Sequence, residues 1–317
     1  MSHVTVLAGG LGSAKFLVGL VETLSEEQVH TSVNVGDDTQ EWGLHVSPDI
    51  DCILHALAGE LDPARDWVRS GQSYQCYETS RKLGLKSGSK IGDRDMATHL
   101  VRTSLLRTGK NLEEATVELA DRFGLGLTII PATSDPVRTV VETAEGDMSV
   151  GEFYLSDSSE ATGVRYEGAG SAQASPSAID SILSATRVIV APSDPIRSIG
   201  AIVAIPAIRD ALSRTEAGVV AVSPVVGTHP VKGPGPGLEA LMRATGSENL
   251  SARDVALRYR DFLNHLVIHT SDLPVLDEIR DTGLGVWVEN ILISSPEDAA
   301  RLSSRLVGEG RPISTGA

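Results

Sequence analysis

The alternation of short apolar runs with helix-like stretches is the feature that most constrains the fold of this chain. The strand-like runs are residues 4–8, 30–38, 126–133, 187–192, 218–224, 265–270 and 285–291, and the clearest helix-like stretches are 14–24, 47–61, 111–125, 198–213 and 295–307. Strands that alternate with helices predict an α/β fold with a doubly wound, mostly parallel sheet covered by helices on both faces. Ligands of such sheets bind beyond the carboxyl ends of the strands, so we expect the chemistry in the turns that follow them.

The middle of the chain departs from this alternation. Residues 62–125 have a mostly helical pattern, and two strand-like runs between 137 and 155 flank Glu145-Gly146-Asp147, which predicts a β-hairpin. The second of these runs includes Phe153 and Tyr154. We therefore expect a core formed by residues 1–60 and 171–317, with residues 61–170 as an inserted helical and β-hairpin region that covers the cleft.

Composition argues against several classes of function. The formal net charge of −15 opposes binding to nucleic acid and to anionic membranes. No apolar run approaches the roughly 18 residues of a membrane span, and the first residues lack the basic start of a signal peptide, so a cytoplasmic location is expected. Cys52 and Cys76 are too few for a disulfide framework and are expected to be buried free thiols.

A glycine-rich turn follows the first strand-like run and precedes a helix. It contains Gly9, Gly10, Gly12 and Ser13. Glycines let the backbone approach a ligand closely, and the N–H groups at a helix start suit phosphate. The turn matches neither the dinucleotide-binding nor the P-loop pattern, and a tight turn without a ligand is the alternative interpretation.

Two later turns have a similar setting. One extends from Ser193 to Gly200, and the other, Ser223–Gly237, is rich in glycine and proline and contains Lys232. Ordinary loop chemistry explains either turn by itself. Because both follow neighbouring strands of one predicted sheet, they favour a shared anion site.

Four carboxylates lie close together in the stretches "NVGDD" and "SPDID": Asp37, Asp38, Asp49 and Asp51. Carboxylates so close repel one another unless a positive charge lies among them. Oxygen ligands suit Mg²⁺, which takes one or two carboxylates and completes its shell with water and phosphate oxygens. The alternative is that Asp49 caps its helix and Asp38 is solvated. The residues alone thus predict a metal-assisted diphosphate or nucleotide site and leave the reaction open.

The stretch "GDRDMATH" is a further candidate. It contains Asp93, Arg94, Asp95 and His99. A structural histidine and a surface salt-bridge cluster are the alternatives to a functional role.

In their order along the chain, these motifs resemble the 2-phospho-L-lactate transferase family. The matching stretches are "LAGGLGSAKFLVGL", "NVGDD", "SPDID", "GDRDMATHLVRTSLLR", "IIPATSDPVRT", "PSDPIRSIGAIVAIPAIRDAL" and "AVSPVVGTHPVKGP". Each motif is weakly specific, whereas the ordered set is specific. The resemblance implies a Rossmann-like core with an insertion and, commonly, a homodimer.

The resemblance also implies a reaction in the biosynthesis of coenzyme F-420. The family transfers a phospholactyl group, or a phosphoenolpyruvyl group in some bacteria, from a guanosine diphosphate donor to the deazaflavin alcohol Fo. GMP leaves, the F-420-0 phosphodiester forms, and Mg²⁺ is required. We expect direct phosphoryl transfer, because no Ser/His/Asp or Cys/His arrangement in the sequence points to a covalent intermediate.

Carried onto this sequence, the resemblance implies that Asp37 and Asp51 bind Mg²⁺, with Asp38 and Asp49 beside them. The catalytic carboxylate is then expected among Asp37, Asp38 and Asp51. The residues expected to bind substrate or nucleotide are Gly9, Gly10, Gly12, Ser13, Asp93, Arg94, His99, Ser193, Asp194, Ser198, Gly200 and Lys232.

Three positions depart from the family's pattern. Asp194 stands where the family usually has Asn, Ala201 where it usually has Pro, and Val150–Tyr154 where it has an aromatic stretch that ends in Trp. Two other functions stay open, a nucleotide-sugar-binding regulatory protein of the related fold and an NAD-binding module. The second lacks the G-x-G-x-x-G pattern.

Overall fold

The computed structural model describes residues 2–62, 64, 67–86, 90–156, 160–231 and 235–308. Within them, the strands are β1 (Val4–Ala8), β2 (Val29–Val33), β3 (Thr39–Glu41), β4 (Leu44–Val46), β5 (Leu61–Asp62), β6 (Val68–Arg69), β7 (Thr128–Pro131), β8 (Arg138–Thr143), β9 (Gly146–Ser149), β10 (Gly163–Glu167), β11 (Arg187–Val190), β12 (Gly218–Val222), β13 (Val225–Val226), β14 (His229–Pro230), β15 (His265–Ile268) and β16 (Gly285–Val288). The helices are α1 (Gly10–Thr23), α2 (Pro48–Leu57), α3 (Gln75–Lys82), α4 (Asp93–Arg107), α5 (Leu112–Arg122), α6 (Val150–Leu155), α7 (Pro176–Ser184), α8 (Ile199–Val203), α9 (Pro206–Arg214), α10 (Gly235–Ala244), α11 (Ala252–Tyr259), α12 (Leu276–Arg280) and α13 (Pro296–Val307).

In the described part of the chain, seven strands form one parallel sheet in the order β7-β2-β1-β11-β12-β15-β16. This is the strand order of a Rossmann fold with one further edge strand, β16, and it confirms the predicted α/β class. Val4 of β1 pairs with Val29 of β2 on one side and with Arg187 of β11 on the other. Because the order of the strands reverses between β1 and β11, a crevice opens there at their carboxyl ends.

The strands are buried because helices cover both faces of the sheet. Every residue of β1 and of β12 is buried, as expected for the continuous apolar runs of a parallel sheet. Helix α1 packs between α2 and α13. A Cβ at Gly19 of α1 would lie 2.2 Å from the backbone of Ala299 in α13, so this helix pair requires a glycine. The Ser295 hydroxyl caps α13 by accepting from the Asp298 N–H at 3.3 Å.

A small antiparallel sheet of order β10-β8-β9 contains the predicted hairpin, with Thr143 paired to Gly146. The second strand-like run was expected to continue through Tyr154, and this expectation was wrong. The strand β9 ends at Ser149, and residues 150–155 form α6. A capping box causes the change: Ser149 Oγ accepts from the Glu152 N–H at 3.2 Å, and Glu152 Oε2 accepts from the Ser149 N–H at 2.9 Å.

The helix expected at 198–213 is two helices, α8 and α9. Pro206 is the first residue of α9, and the preceding Ile205 has an extended conformation. Proline has no N–H to continue a helix, and it disfavours helical geometry in the residue before it. The break keeps α8 short beside the crevice.

The predicted insertion is not separate from the sheet. Strand β7 lies within residues 61–170 and pairs with β2, where Ile129 is opposite Thr31. The rest of this segment supplies α3, α4, α5, α6 and the small sheet. The boundaries of the predicted core therefore cut off one strand of the central sheet.

The two cysteines are free, as expected, but they are not both buried. Cys76 is exposed and Cys52 is partly buried. Among the described residues, none of the helices combines the length and the apolar composition that a membrane crossing requires.

Candidate functional site

The turn after β1 and the turn after β11 meet at the crevice between these strands. We call residues 9–13 the glycine turn and residues 192–198 the serine turn. Ser13 Oγ contacts Ser193 Oγ, and Ser193 Oγ donates to the Gly9 carbonyl at 2.8 Å. Because both serine side chains are buried, they tie the two turns together.

Close packing explains the glycines of the glycine turn. A Cβ at Gly12 would lie 2.2 Å from the carbonyl oxygen of Pro192, and one at Gly9 would lie 2.5 Å from Asp49 Oδ2. Gly10 begins α1 with a φ of +68°, a left-handed conformation that favours glycine. The first N–H groups of α1 therefore lie against the serine turn and the start of α2.

Side chains from four segments gather at this crevice. We call them the switch-point cluster: Asn34, Asp37, Asp49, Tyr154, Asp194, Arg197 and Ser198. Asp49 Oδ2 accepts from Asn34 Nδ2 at 2.8 Å and from Ser198 Oγ at 3.3 Å. Asp49 thus bonds to side chains of two other segments, and the interpretation of Asp49 as the cap of α2 was wrong.

Arg197 is the cation of the switch-point cluster. Its Nε donates to Asp37 Oδ2, and its guanidinium lies 5.5 Å from the centre of the Tyr154 ring. The side chain is 31% exposed, so it is open to a ligand as well. Within the cluster, Asp37, Asp49 and Asp194 share this one arginine.

The carboxylates of the cluster are poorly compensated. Burial raises the pKa of Asp37 to about 7, although Arg197 acts against this rise, and the charge of Asp49 adds to it. Burial also raises the pKa of Asp49. Asp37 Oδ1 is buried and has no hydrogen-bond partner. A cation at this oxygen would relieve the excess negative charge.

Mg²⁺ is the cation that the family resemblance implies for this cluster. No group of three or more His, Cys, Asp or Glu side chains within the described residues is arranged to hold a metal. Mg²⁺ needs only one or two carboxylates when water and phosphate complete its shell. The unpaired Asp37 Oδ1, with the Asp49 carboxylate close to it, fits such a partly open site.

Asp38 follows Asp37 in the chain but has different partners. Its Oδ2 accepts from Ser47 Oγ at 2.7 Å and lies 2.9 Å from His45 Nε2. Its Oδ1 is buried without a partner, and burial raises the pKa of this carboxyl. The interpretation of Asp38 as a solvated residue was therefore wrong.

Asp51 lies in a second polar region, between α2 and α4. We call this region the α2–α4 seam: Asp51, His55, Asp95, Thr98, His99 and Arg102. Arg102, which is fully buried, donates from both of its Nη atoms to the two oxygens of Asp51, and His99 Nδ1 lies 3.1 Å from Asp51 Oδ2. Burial opposes the charge of Asp51, but Arg102 and His99 outweigh it and hold the pKa well below its usual range.

The structure thus divides the predicted metal pair. Both oxygens of Asp51 contact Arg102, whereas the aspartates whose charges act on Asp37 are Asp49 and Asp194. Metal binding by Asp37 and Asp51 stays a prediction. The geometry favours Asp49 over Asp51 as the partner of Asp37.

The carboxylates of "GDRDMATH" hold neighbouring loops. Asp93 accepts from the N–H groups of Gln75 and Cys76, each at 3.0 Å, at the start of α3. Asp95 accepts from Arg69 Nη1 at 2.9 Å. Together with the contact between His99 and Asp51, these bonds give three of the four candidates a structural partner.

Arg94 is the remaining candidate in this stretch. Its backbone N–H donates to Gln72 Oε1 at 2.8 Å, and its side chain is exposed. Its guanidinium lies over Gly71, where a Cβ would be 2.9 Å from Nη2. Arg94 is therefore available to a ligand, unlike Asp93 and His99.

Tyr154 holds the serine turn in place. Its hydroxyl donates to Asp194 Oδ2, while Asp194 Oδ1 accepts from the N–H groups of Ile196 and Arg197, each at 2.8 Å. Phe153, in contrast, is 1% exposed and belongs to the core. The positions 154 and 194, where this chain departs from the family pattern, thus contact each other.

Two predicted binding residues remain. Gly200 is buried under Tyr166, whose hydroxyl oxygen would lie 2.0 Å from a Cβ at this position. Gly200 therefore permits close packing at the start of α8. Lys232 lies outside the described residues.

The model of the 2-phospho-L-lactate transferase CofD family matches residues 4–283. The chain belongs to the CofD family. It is 36% identical over 306 residues to the 2-phospho-L-lactate transferase of Methanosarcina mazei, covering 95% of this chain and 98% of that protein. It is also 36% identical over 286 residues to the phosphoenolpyruvate transferase of Nocardia farcinica, covering 85% of each chain. Relatives of this CofD-family chain thus carry two transferase names.

Two crystal structures of one Bacillus halodurans protein, described as a member of the UPF0052 family, share the fold. Their TM-scores are 0.64 and 0.67, each at 14% sequence identity, and they cover 97% and 96% of this chain and 99% of theirs. At this identity, the likeness shows the fold of the CofD-family chain and nothing about its ligand.

Sequence reasoning missed two residues of the switch-point cluster and the buried arginine of the α2–α4 seam. Asn34, Arg102 and Arg197 all lie inside the CofD-family stretches quoted above, but they were not singled out. Each of them is a cationic or amide side chain within an acidic motif, and this pattern could have indicated a partner for one of the carboxylates. The aspartates that these side chains contact are distant in sequence, so the contacts could not be predicted from local sequence patterns.

Proposed function

We propose that this protein transfers a phospholactyl or phosphoenolpyruvyl group from a guanosine diphosphate donor to the deazaflavin Fo. The terminal hydroxyl oxygen of Fo's ribityl chain bonds to the phosphorus that bears the three-carbon acid. The bond from that phosphorus to the bridging diphosphate oxygen breaks, GMP leaves, and the F-420-0 phosphodiester forms. Membership of the CofD family and the names of the relatives support this reaction.

The observation that carries the proposal is the switch-point cluster at the start of α1. The first N–H groups of α1 and the partly exposed Arg197 offer positive charge at the crevice where doubly wound sheets bind their ligands. A diphosphate is the part of the donor that this charge suits. The residues expected to contact it are the backbone of Gly10 and Gly12 and the side chain of Arg197.

Mg²⁺ is part of the proposal. When bound, it neutralises charge on the transferring phosphoryl group. Asp37 would hold it through the unpaired Oδ1, with Asp49 as the second carboxylate. Arg197 bonds to Asp37 Oδ2 and so fixes the orientation of this carboxylate.

The proton of the Fo hydroxyl must reach a base or solvent. Asp37 and Asp38 each present a buried, unpaired Oδ1, and burial raises the pKa of both. Both oxygens of Asp51 are held by Arg102, which makes it the weakest of the three expected carboxylates. If Asp37 binds the metal, Asp38 is the carboxylate left to accept the proton.

The acceptor Fo is proposed to lie on the α4 side of the crevice. Arg94 is exposed at the first turn of α4, whereas Asp93 and His99 stabilise the surrounding loops and helices. Arg94 is therefore the residue of "GDRDMATH" proposed to contact a substrate. We also propose a homodimer on the family resemblance, which light scattering of the purified protein tests.

Product analysis tests the reaction. The protein is incubated with Fo, Mg²⁺ and either the lactyl or the enolpyruvyl guanosine diphosphate donor, and the products are identified by mass. We expect GMP and an Fo phosphodiester, with one donor preferred. Formation of neither product from either donor would contradict the proposal.

A binding experiment with matched variants separates the alternatives. Calorimetry compares GDP, UDP-N-acetylglucosamine and NAD; we expect GDP to bind most tightly. Arg197→Met should weaken GDP binding, whereas Arg214→Met, which removes an exposed partner of Asp210, should not. Tight binding of the UDP-sugar without a response to GDP would favour the regulatory class.

A further inference from the structure

A cavity of about 350 Å³ lies apart from the switch-point cluster. Its walls come from α8, α9, α11 and the segment that follows α10, and Tyr166 of β10 closes one side. None of the cluster's seven side chains lines it. Pro195 of the serine turn also lines it, so the cavity adjoins the cluster but has its own lining side chains and room for a small ligand.

Arg258 is one of two arginines that line this cavity. Its Nη2 donates to Thr245 Oγ1 at 2.7 Å and to Ser247 Oγ at 3.3 Å, while its Nε is buried without a partner. No carboxylate of the described residues forms an ion pair with it. Neutral hydroxyls thus hold the guanidinium in place, and no described carboxylate lies within ion-pair distance of it, although Asp254 lines the same cavity.

Other arginines with buried guanidinium groups differ from Arg258 in this respect. Arg69 contacts Glu60 and Asp95, and Arg102 contacts Asp51. Arg258 is partly buried, and a guanidinium that is partly withdrawn from water is normally stabilised by an anionic partner. In a chain with a net charge of −15, the absence of such a partner at Arg258 points to a missing anion.

The other charged groups that line the cavity already have partners. Asp254 Oδ2 accepts from Ser251 Oγ at 2.5 Å, and the two residues cap α11. Arg209 donates to both oxygens of Asp261, at 2.6 and 2.7 Å. Only Arg258, among the charged side chains that line the cavity, is left for a ligand.

Tyr259, beside Arg258 on α11, adds a second unsatisfied group. Its side chain is 1% exposed, and its hydroxyl is buried without a partner. Buried polar groups are normally hydrogen-bonded, so two unsatisfied donors on neighbouring residues show that this part of α11 is incompletely satisfied.

We propose that this cavity binds a small oxyanion, a phosphate or a carboxylate, through the Arg258 guanidinium. The planar N–H donors of arginine match two oxygens of such a group, and the contacts with Thr245 and Ser247 keep the guanidinium oriented. The cavity shares a wall with the serine turn, because Tyr166 lines it and donates to the Ile196 carbonyl at 2.8 Å. The anion therefore binds next to the turn that carries Arg197, but outside the switch-point cluster.

Calorimetry with two probes tests this site. Inorganic phosphate and lactate are titrated separately into the protein in the presence of saturating GDP, which fills the proposed donor site. We expect one of the two anions to bind once per chain, and Arg258→Met to weaken this binding at least about tenfold. Arg258→Lys, which retains the charge, should restore part of it. Arg253→Met is the matched control, because Arg253 lies on the same helix and pairs with Glu278 outside the cavity.

The outcomes separate this proposal from the proposed function. Anion binding that is lost in Arg197→Met and retained in Arg258→Met would assign the anion to the switch-point cluster and overturn the inference. Equal anion affinities of wild type and a folded Arg258→Met variant would also overturn it. So would a dissociation constant above about 10 mM for both anions in wild type. If Arg258→Met fails to fold, Thr245→Val replaces it and should weaken binding. A failure of GDP to bind would count against the proposed function alone.

Discussion

Helix α2 contributes to two buried acidic regions, through Asp49 to the switch-point cluster and through Asp51 to the α2–α4 seam. The buried carboxylate is neutralised in the seam but not in the cluster. In the α2–α4 seam, Asp51 faces the fully buried Arg102 and His99, and its pKa lies well below the usual range. In the switch-point cluster, three carboxylates share Arg197, and burial raises the pKa of Asp37 to about 7. Asp49 and Asp51 diverge because residues two apart on a helix point about 200° apart around its axis.

The difference separates a balanced ion pair from a region with excess negative charge, which is the proposed ligand site. The seam is balanced in charge, because each charge of the Asp51–Arg102 pair meets its opposite inside the protein, although Arg102 Nε and His99 Nδ1 lack hydrogen-bond partners. The cluster has an excess of negative charge and an unpaired oxygen on Asp37. An excess that the protein does not neutralise is what a bound cation would remove. Identical residue types in adjacent motifs thus have different roles.

The largest expected effect is on the seam. Asp51→Asn should lower the free energy of unfolding by about 3–5 kcal/mol, because it leaves Arg102 as an unpaired buried charge. Urea denaturation measures this. Asp210→Asn, which removes an exposed pair with Arg214, is the control and should cost less than about 1 kcal/mol. Equal stability of wild type and Asp51→Asn would remove the distinction between the two regions.

The second prediction concerns catalysis. Asp37→Asn should lower the rate of transfer to Fo about a hundredfold or more at limiting Mg²⁺. The substitution would weaken the proposed metal site, and a metal ion that neutralises charge on the transferring phosphoryl group stabilises the transition state by several kcal/mol. In metal-free protein its free energy of unfolding should equal that of wild type near about pH 4 and exceed it near about pH 7, because the substitution removes a carboxylate whose burial raises its pKa to about 7. Steady-state kinetics and urea denaturation of the same samples test both parts. Near wild-type turnover by a folded Asp37→Asn variant would contradict the proposed role of Asp37 in binding Mg²⁺.

The third prediction uses the sign of the pKa shifts. Asp37 has a pKa of about 7 in the folded chain and about 3.9 when unfolded. Between these values the folded state binds a proton that the unfolded state does not, so the free energy of unfolding falls as pH rises. Asp37→Asn should reduce this fall by up to about 1.4 kcal/mol per pH unit in metal-free protein.

Urea denaturation with a chelator, from about pH 4 to about pH 7, measures that slope. Asp51 has the opposite sign, because its lowered pKa stabilises the fold above about 3.9 and this contribution is lost as the pH falls. Identical slopes in wild type and Asp37→Asn would show that Asp37 titrates normally.

The smallest effect is expected at the edge of the cluster. Tyr154→Phe keeps the ring beneath Arg197 but removes the hydrogen bond to Asp194, and it should cost about 1 kcal/mol of stability. A double-mutant cycle with Asp194→Asn measures the coupling between the two side chains. Additive effects of the two substitutions would mean that this contact does not stabilise the serine turn.

Much of the fold could be predicted from local pattern. The apolar runs, the hairpin at Glu145–Asp147, the glycine turn and the Ser295 cap all depend on neighbouring residues, and the structure has each of them. Two errors were also local in origin. The capping box at Ser149 and the break at Pro206 were visible in the sequence, but apolar periodicity was followed instead.

The sequence by itself determined the order of the elements, the family, and the turns at which the site forms. Only the tertiary structure decided which carboxylates are neutralised, because their partners are 51 residues apart for Asp51 and Arg102 and 160 residues apart for Asp37 and Arg197. Local hydrogen bonding and hydrophobic periodicity are encoded over a few residues. The pKa of a buried side chain depends instead on the charges that folding brings within a few ångströms of it and on the water that folding removes.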